Sequence, residues 1–322
     1  MSYTRIIGSG SAVPDNVVTN AMMEAIVETS DEWIQSRTGI VERRISTDQN
    51  TSDLAYLAAK RAMEAAAVDA KSIDLLIVAT VTPDMPFPGV SQLLQRKLNM
   101  HPITAFDVNA ACSGFIYAIN VADAMIRSGS YRRALVIGAE TLTKITDFTD
   151  RNTCVLFGDA AGAVVIEPSD TPGIERVITR SKGDHEGLLT LEGYPLKQGF
   201  KTPQKPWPFL QMQGSEVFKF ATRAMPEIIN DLLSQSSHTM DDIALVVAHQ
   251  ANRRIIESSG KKLRIPEDKL FMNIEHYGNT SAASVPLAID EAIRSNRLKK
   301  GDLFLTVAFG AGLTWGGALI RL

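Results

Sequence analysis

Cys112 lies in the stretch DVNAACSGF, among small residues and just before a run with helical periodicity. From Phe115, apolar residues recur at i, i+4, i+7 and i+11, which predicts an amphipathic helix that ends near Gly129. The N–H groups and positive dipole end of a helix stabilise a thiolate and lower the pKa of a thiol. We therefore expect Cys112 to be a nucleophile, although a lone cysteine is more often a small core residue.

Two other polar residues follow apolar or turn-rich stretches in the second half of the chain. His249 ends an apolar strand in VVAHQAN, and Asn279 lies in HYGNTSAAS. Ligands of α/β proteins bind at the carboxyl ends of parallel strands, and imidazole and amide N–H groups can both stabilise an oxyanion. Taken singly, the histidine could be structural and the asparagine a helix N-cap. Their convergence with the cysteine favours a catalytic site.

Short apolar runs alternate with helix-length segments, which predicts an α/β protein with buried parallel strands. The runs are DLLIVAT, ALVIGAE, AVVIE and IALVVA. When the chain is shifted by 167 positions, CSGFIYAINVADAMIRS coincides with NTSAASVPLAIDEAIRS, so that Cys112 falls on Asn279; a shift of about 170 aligns SIDLLIVAT with DIALVVAHQ. We therefore expect two α/β halves related by a pseudo-twofold axis, residues 1–170 and 171–322. A segment at about 183–212, rich in Pro, Gly and Lys, is expected to line a pocket.

Composition excludes several classes of protein. The 322 residues are 45% hydrophobic, and 33 Lys and Arg against 36 Asp and Glu give a net charge of −3, which offers no general attraction for nucleic acid or an anionic membrane. Two cysteines without a CxxC motif and five scattered histidines do not indicate a disulfide framework or a zinc site. Because no secretion signal or membrane-length apolar run is present, we expect a cytosolic protein with reduced thiols.

A series of motifs, in order along nearly the whole chain, resembles the β-ketoacyl-acyl carrier protein synthase III family of thiolase-fold enzymes. The motifs are TSDEWIQSRTGI, DVNAACSGF, LFGDAAGAVV, MQGSEVFKFA, HQANRRII, GNTSAAS and FGAGLTWGGALIRL. The resemblance implies a thiolase-like fold, with two related halves forming a five-layered αβαβα core, and a homodimer. It also implies an acyltransferase that starts type II fatty acid synthesis by condensing an acyl-coenzyme A primer, acetyl by default, with malonyl-acyl carrier protein. Coenzyme A thioester is then a substrate, and no cofactor or metal is implied.

The resemblance assigns the chemistry to Cys112, His249 and Asn279. Cys112 would carry the acyl group, and His249 and Asn279 would stabilise the enolate formed when the malonyl group loses CO₂. The backbone N–H groups of Cys112 and Ala311 would form the oxyanion hole for the acyl-cysteine.

Further residues are carried over by position. The coenzyme A contacts implied are Thr29, Trp33, Arg37 and Arg151. In TSDEW, Thr29 and Glu32 also have the spacing of a capping box, so the same segment could be only a capped surface helix. The acyl pocket implied comprises Leu142, Phe157, Leu189, Leu210 and, from a partner subunit, Phe87. A basic run after His249 could be a solvated face; the resemblance implies that it docks an acidic carrier protein through Lys219, Arg253, Arg254, Lys261 and Lys262.

Three alternative functions remain open. A papain-like protease also uses cysteine, histidine and asparagine, but it would not explain the duplication and lacks the expected surroundings of the cysteine. A thiolase-fold synthase of specialised metabolism, using longer or unusual acyl-coenzyme A primers, would share the same three residues. A non-enzymatic scaffold would be indicated if Cys112 did not react with acyl-coenzyme A.

Overall fold

The computed structural model describes residues 3–193 and 208–322, so most of the GYPLKQGFKTPQKPWPF stretch in the predicted insert lies outside the described residues. The strands, in chain order, are β1 (Tyr3–Ala12), β2 (Val17–Thr19), β3 (Glu42–Arg44), β4 (Leu75–Ala79), β5 (Thr104–Val108), β6 (Ala134–Thr141), β7 (Asp159–Ser169), β8 (Ile174–Ser181), β9 (Leu189–Thr190), β10 (Gln211–Met212), β11 (Leu245–Ala248), β12 (Leu270–Phe271), β13 (Leu303–Gly310) and β14 (Thr314–Arg321).

The α-helices are α1 (Asn20–Glu24), α2 (Asp31–Thr38), α3 (Thr51–Ala65), α4 (Val90–Lys97), α5 (Gly114–Arg127), α6 (Arg151–Cys154), α7 (Gly214–Ser234), α8 (Arg253–Leu263), α9 (Ile274–Tyr277) and α10 (Ser284–Arg294). Short 3₁₀ turns cover Ala70–Ser72, Ala111–Ser113, Leu142–Ile145, Met240–Asp242, Glu267–Lys269 and Ser281–Ala283.

Two five-stranded sheets have the same topology. The first has the order β1-β7-β6-β4-β5, and the second, read from the equivalent end, has the order β8-β14-β13-β11-β12. The parallel and antiparallel pairings also correspond strand by strand. This correspondence confirms the α/β fold built from two related units.

Five layers result from the packing of helices on these sheets. Helices α5 and α10 lie between the sheets and contact both, whereas α3 and α4 pack on the outer face of the first sheet and α7 on that of the second. Position between two sheets explains why α5 buries more than one apolar stripe: Phe115, Ile116, Ala118 and Ile119 are all inaccessible to solvent. Burial of each large apolar side chain contributes about 1.5–3 kcal/mol, so the central helices hold the two sheets together.

The predicted strands are present, but the sheets are mixed rather than parallel. The runs DLLIVAT and IALVVA form β4 and β11, which pair in parallel with both of their neighbours. ALVIGAE and AVVIE form β6 and β7, which pair in antiparallel fashion. The predicted buried parallel strands are therefore present, accompanied by antiparallel strands that the apolar runs do not distinguish, because a strand buried on both faces is continuously apolar in either orientation.

The offset between the two halves changes from 170 residues at the 3₁₀ turns to 167 residues at the ends of α5 and α10. Ala111 and Ser281, 170 positions apart, have φ values of 47° and 49° and begin equivalent 3₁₀ turns. The structural equivalent of Cys112 is therefore Ala282 and not Asn279, and the 167-residue shift holds only where α5 and α10 end. The earlier alignment failed at the turn because α10 is three residues shorter than α5.

Candidate active site

Cys112, His249 and Asn279 line one cavity of about 660 Å³. Each side chain is held by a different element: the turn before α5, the end of β11, and the segment before α10. The structure thus brings the three predicted residues together, and Ala311, which follows β13, lines the same cavity.

Cys112 occupies the 3₁₀ turn that leads into α5, one residue removed from the helix proper. The turn packs against β13, where a Cβ atom on Gly310 would lie 2.7 Å from the Cys112 backbone nitrogen, so only glycine permits this approach. The pKa of the Cys112 thiol is raised to about 11, chiefly by burial and also by the Glu140 carboxylate, against the lowering effect of Ser281. The expectation of a lowered thiol pKa was therefore wrong, since desolvation and Glu140 oppose the helix terminus.

His249 is buried and neutral. Burial lowers its pKa to about 3, so one ring nitrogen carries the only N–H at neutral pH. Nδ1 lies 2.5 Å from Ser284 Oγ, and that oxygen also accepts the Gln250 backbone N–H at 3.4 Å. The serine hydroxyl can donate to Nδ1, and in that tautomer Nε2 carries the ring N–H. Phe309 packs edge-on against the ring with centroids 5.4 Å apart.

Asn279 is fixed through its backbone and its side-chain oxygen. Its N–H donates to Leu156 O at 2.8 Å and its C=O accepts from Gly158 N–H at 3.1 Å, so the residue is bound to the first half of the chain. The Ser281 backbone N–H donates to Asn279 Oδ1 at 2.9 Å. With Oδ1 engaged, the Nδ2 amide group is left to donate into the cavity. His249 and Asn279 therefore bring neutral N–H donors to the cavity that Cys112 also lines.

Three supporting residues were missed by sequence reasoning. Ser281 and Ser284 follow Asn279 in GNTSAAS; Ser281 lines the same cavity, and Ser284 Oγ lies 2.5 Å from the imidazole Nδ1. Glu140, at the end of ALVIGAE, is fully buried and acts on the thiol from β6. A carboxylate within an otherwise apolar strand was a visible signal, because a buried charge requires a partner or a function.

The predicted acyl-pocket residues of this chain also line the cavity: Leu142, Phe157, Leu189 and Leu210. Phe157 and Leu142 form a small apolar cluster on which Leu210 packs. Leu189 belongs to β9, which pairs with β10; in sequence, β10 follows residues 194–207. Phe87 does not line the cavity of its own chain, and its side chain is 85% exposed.

The entrance contains only part of the predicted coenzyme A set. Trp33 and Arg37 line the cavity, and the Arg151 guanidinium lies 5.1 Å from the centre of the Trp33 ring. The helix α2 is capped by Ser30, whose Oγ accepts the Trp33 N–H at 3.1 Å, so the predicted capping box on Thr29 was wrong. Thr29 does not line the cavity, and its buried hydroxyl has no hydrogen-bond partner in the described part of the chain.

The basic residues are spread over two helices. Arg254 and Lys219 line the entrance, and the Arg254 guanidinium lies 5.5 Å from the centre of the Phe218 ring. Arg253 points elsewhere and pairs with Glu275 at 3.5 Å. The exposed Lys261 and Lys262 lie at the other end of α8, about 10–12 Å along its axis from Arg254. The five residues therefore do not form one compact patch.

The duplicated five-layer fold, with a cysteine, a histidine and an asparagine around one cavity, defines the class of thiolase-fold acyl-transferring condensing enzymes. Models of the N- and C-terminal parts of 3-oxoacyl-[acyl-carrier-protein] synthase III match residues 106–183 and 233–322. The chain belongs to the β-ketoacyl-[acyl-carrier-protein] synthase III family.

Relatives match along their full length. The chain is 52% identical to beta-ketoacyl-[acyl-carrier-protein] synthase III of Alkalilimnicola ehrlichii over 100% of both proteins. The crystal structure of 3-oxoacyl-[acyl-carrier-protein] synthase III from Aquifex aeolicus is similar with a TM-score of 0.93 and 45% identity, over 99% of this chain and 100% of that one. The priming β-ketosynthase of the R1128 polyketide pathway gives 0.94 and 36%, over 99% and 96%.

Within residues 3–193 and 208–322, no helix has both the length and the apolar character needed to cross a membrane. The same residues contain no cluster of three or more His, Cys, Asp or Glu side chains arranged to hold a metal ion.

Proposed function

We propose that this protein condenses an acyl-coenzyme A primer with malonyl-acyl carrier protein and so initiates fatty acid synthesis. The observation that carries the proposal is the shared cavity, which Cys112, His249 and Asn279 all line. A thiol can carry an acyl group as a thioester. Neutral N–H donors can hydrogen-bond the oxygen of an enolate and so stabilise its negative charge.

The reaction divides into two half-reactions. In acylation, the Cys112 sulfur attacks the thioester carbonyl, a new C–S bond forms, and coenzyme A leaves as its thiol. In condensation, the malonyl group loses CO₂ and the electron pair becomes an enolate, whose oxygen accepts hydrogen bonds from His249 and Asn279. The enolate carbon attacks the acyl-cysteine to form the new C–C bond, and the oxyanion formed there would be held by the backbone N–H groups of Cys112 and Ala311. Collapse of this intermediate breaks the acyl C–S bond, releases the β-ketoacyl-carrier product and leaves Cys112 as a thiolate that takes up a proton. Ping-pong kinetics follow from the covalent intermediate.

We propose that the nucleotide part of coenzyme A binds at the entrance. Trp33 and Arg151 offer a ring and a planar cation for the adenine and phosphates, and Arg37 adds a second cation beside the cavity. We propose that Thr29, which does not line the cavity, contributes to this site from the segment before α2. The acyl chain would extend between Leu142, Phe157, Leu189 and Leu210, as their common position around the cavity suggests.

Malonyl-acyl carrier protein would approach the same entrance from outside. Arg254 and Lys219 are the two basic residues next to the cavity, whereas Arg253, Lys261 and Lys262 would contribute only at longer range. We further propose a cytosolic homodimer in which Phe87 enters the partner's acyl pocket. The exposure of Phe87 and Met85 on one loop, uncommon for large apolar side chains, supports this assignment.

The test is a product assay with purified protein, malonyl-acyl carrier protein and a series of acyl-coenzyme A esters from acetyl to octanoyl and longer. We expect a β-ketoacyl-carrier product and an acyl-enzyme that mass spectrometry locates on Cys112. Preference for a long or unusual primer would assign the chain to a specialised pathway, which the similarity to the R1128 priming enzyme makes worth testing. Absence of acylation with every ester would refute the proposal.

A further inference from the structure

The two backbone N–H groups assigned to the oxyanion hole belong to different halves of the chain. Cys112 lies in the 3₁₀ turn Ala111–Ser113 before α5, and Ala311 opens the turn between β13 and β14. A Cβ atom on Gly310 would lie 2.7 Å from Cys112 N, and Gly310 directly precedes Ala311, so the two nitrogens are close neighbours. The shape of the hole therefore depends on what holds the two turns together.

The hydroxyl of Thr314, the first residue of β14, lies between these turns. Its Oγ1 is 2.9 Å from Ala311 O in its own turn and 2.9 Å from Ala110 O, just before the turn that carries Cys112. Ser113 Oγ lies 2.7 Å from Thr314 Oγ1 and 2.8 Å from the same Ala110 oxygen. The hydroxyls of Thr314 and Ser113 therefore connect the two halves, and we call this pair the hydroxyl bridge.

The hydrogen-bonding capacity of the two hydroxyls suits such a bridge. An O···O distance of 2.7 Å places a hydrogen between the two oxygens. When Ser113 supplies this hydrogen, that of Thr314 is free for the carbonyl oxygens of Ala110 and Ala311, which are equally distant from it. When Thr314 supplies it, Ser113 donates to Ala110 O. The turn before α5 is bound to β14 in both arrangements.

Both turns need this support. Ala111 has a φ of 47°, in the left-handed region that is costly for a residue with a Cβ atom, and such a conformation persists only where the surroundings hold it. In the other turn, the backbones of Gly312 and Leu313 bond to the segment 182–184. Within residues 3–193 and 208–322, the backbone of Ala311 makes no hydrogen bond except the one from Thr314. The hydroxyl bridge thus holds the backbone next to each N–H donor.

We propose that Thr314 and Ser113 are positioning residues for the oxyanion hole. Their hydroxyls bind one carbonyl on each side, those of Ala110 and Ala311, and so set the separation of the N–H groups of Cys112 and Ala311. Neither Thr314 nor Ser113 lines the cavity, so both act through the backbone and not by contact with the acyl group. The inference rests on the proposed function, to which it adds no chemical step.

The two half-reactions depend on this hole to different degrees. Acylation passes through an oxyanion at the primer carbonyl that Cys112 attacks, and displacement of a positioning group by about 1 Å can slow such a step by about 10²-fold. Loss of CO₂ from the malonyl group instead develops charge beside His249 and Asn279, whose hydrogen bonds to Ser284 and Ser281 lie outside the hydroxyl bridge. A residue that only stabilised the fold would change both rates together.

The test is Thr314→Val, which replaces the hydroxyl with a methyl group and keeps the branched shape. We expect acylation by radiolabelled acyl-coenzyme A, measured by rapid quench, to slow by about 10- to 10²-fold. Release of labelled CO₂ from malonyl-acyl carrier protein, measured without primer, should stay at the wild-type rate. Thr314→Ser keeps the hydroxyl and should restore acylation.

A spectroscopic measurement tests the geometry of the hole independently of rate. The acyl-enzyme is formed with an ester that carries a heavy carbon isotope in its carbonyl group, and the carbonyl stretch is obtained from the isotope-edited infrared difference spectrum. Hydrogen bonds to the carbonyl oxygen lower this frequency. We therefore expect a higher frequency in Thr314→Val and in Ser113→Ala than in the wild-type protein and in Thr314→Ser.

Thr306→Val is the matched control. Thr306 is a buried threonine of the neighbouring strand β13, and its hydroxyl has no hydrogen-bond partner in the described part of the chain. The same change of side chain should therefore leave both rates and the carbonyl frequency unchanged. Thermal unfolding of every variant is recorded first, and Ser113→Ala carries the test if Thr314→Val does not fold.

The hydroxyl bridge is refuted if Thr314→Val and Ser113→Ala keep both the wild-type acylation rate and the wild-type carbonyl frequency. Equal loss of acylation and decarboxylation, or the same defect in Thr306→Val, would also overturn it, since the effect would then belong to the fold in general. If the wild-type protein formed no acyl-enzyme with any ester, the proposed function itself would fail, which is distinct from a wild-type protein that acylates and variants that do so equally well.

Discussion

Replacement of His249 by alanine should separate the two half-reactions. The substitution removes the Nε2–H donor and leaves the Cys112 thiol, the Ala311 backbone and the Glu140 side chain in place. Loss of one oxyanion donor typically costs about 10²–10³-fold in rate, or about 2.7–4 kcal/mol. We therefore expect malonyl-carrier decarboxylation to fall by that factor, whereas acylation by acyl-coenzyme A continues.

The structural cost of this substitution sets the conditions of the assay. The Ser284 hydroxyl loses its hydrogen bond with His249 Nδ1 at 2.5 Å. Loss of such a buried hydrogen bond lowers the free energy of unfolding by about 1–3 kcal/mol. Thermal unfolding should therefore be recorded first and the rates measured well below the transition. Acylation is followed by radiolabel incorporation and decarboxylation by release of labelled CO₂.

Two companion variants complete the test. Asn279→Ala should reproduce the decarboxylation defect, since its amide is the other proposed donor. Cys112→Ala should behave in the opposite way, failing to form an acyl-enzyme while still releasing CO₂. If His249→Ala abolished acylation as completely as Cys112→Ala and left decarboxylation intact, the imidazole would be acting as a base for the thiol. Both the tautomer assignment and the role of the two donors would then be wrong.

Three further outcomes are expected. Arg254→Glu should raise the KM for malonyl-acyl carrier protein strongly and leave acylation by acyl-coenzyme A nearly unchanged. Lys262→Glu, at the far end of α8, should raise this KM less. If steady-state kinetics showed the same increase in KM for both variants, docking at the entrance would be contradicted. The pKa of His249 is depressed to about 3 on folding, so the unfolded chain binds more protons between pH 6.5 and 3, and stability is lost as pH falls through that window, by up to about 5 kcal/mol. His249→Gln should reduce this loss in urea unfolding, and an unchanged pH dependence would refute the assignment. Burial raises the pKa of both Cys112 and Cys154 to about 11, but only Cys112 lines the cavity; iodoacetamide should therefore label Cys112 first and more slowly than free cysteine, as peptide mass spectrometry can measure.

Periodicity in the sequence was sufficient to locate the central elements. The apolar repeat after Cys112 predicted α5 and its end near Gly129, because a helix between two sheets must bury regularly spaced side chains. Four apolar runs predicted β4, β6, β7 and β11. Strand direction was not predictable in this way, since burial on both faces removes the alternation that separates sheet types.

Of the properties that were not predicted, the thiol pKa depends on contacts between distant parts of the chain and the helix cap on local geometry. The pKa of Cys112 is raised by burial and by Glu140, which lies on β6, 28 positions away in sequence. The cap of α2 is Ser30 rather than Thr29, a difference of one residue that follows from local backbone geometry. The roles of Phe87, Thr29 and the basic residues stay predictions from the family resemblance.

The site depends on contact between the two halves rather than on either half alone. The 3₁₀ turn of each half packs against a glycine in a strand of the other: a Cβ on Gly310 would lie 2.7 Å from Cys112 N, and one on Gly138 would lie 2.1 Å from Ala282 O. The first turn presents the thiol, while the second presents the Ser281 hydroxyl and leads into Ser284, the partner of the imidazole. The two turns have nearly the same backbone, with left-handed residues Ala111 and Ser281 at equivalent positions. A duplicated scaffold therefore places the nucleophile and its supporting groups around one cavity.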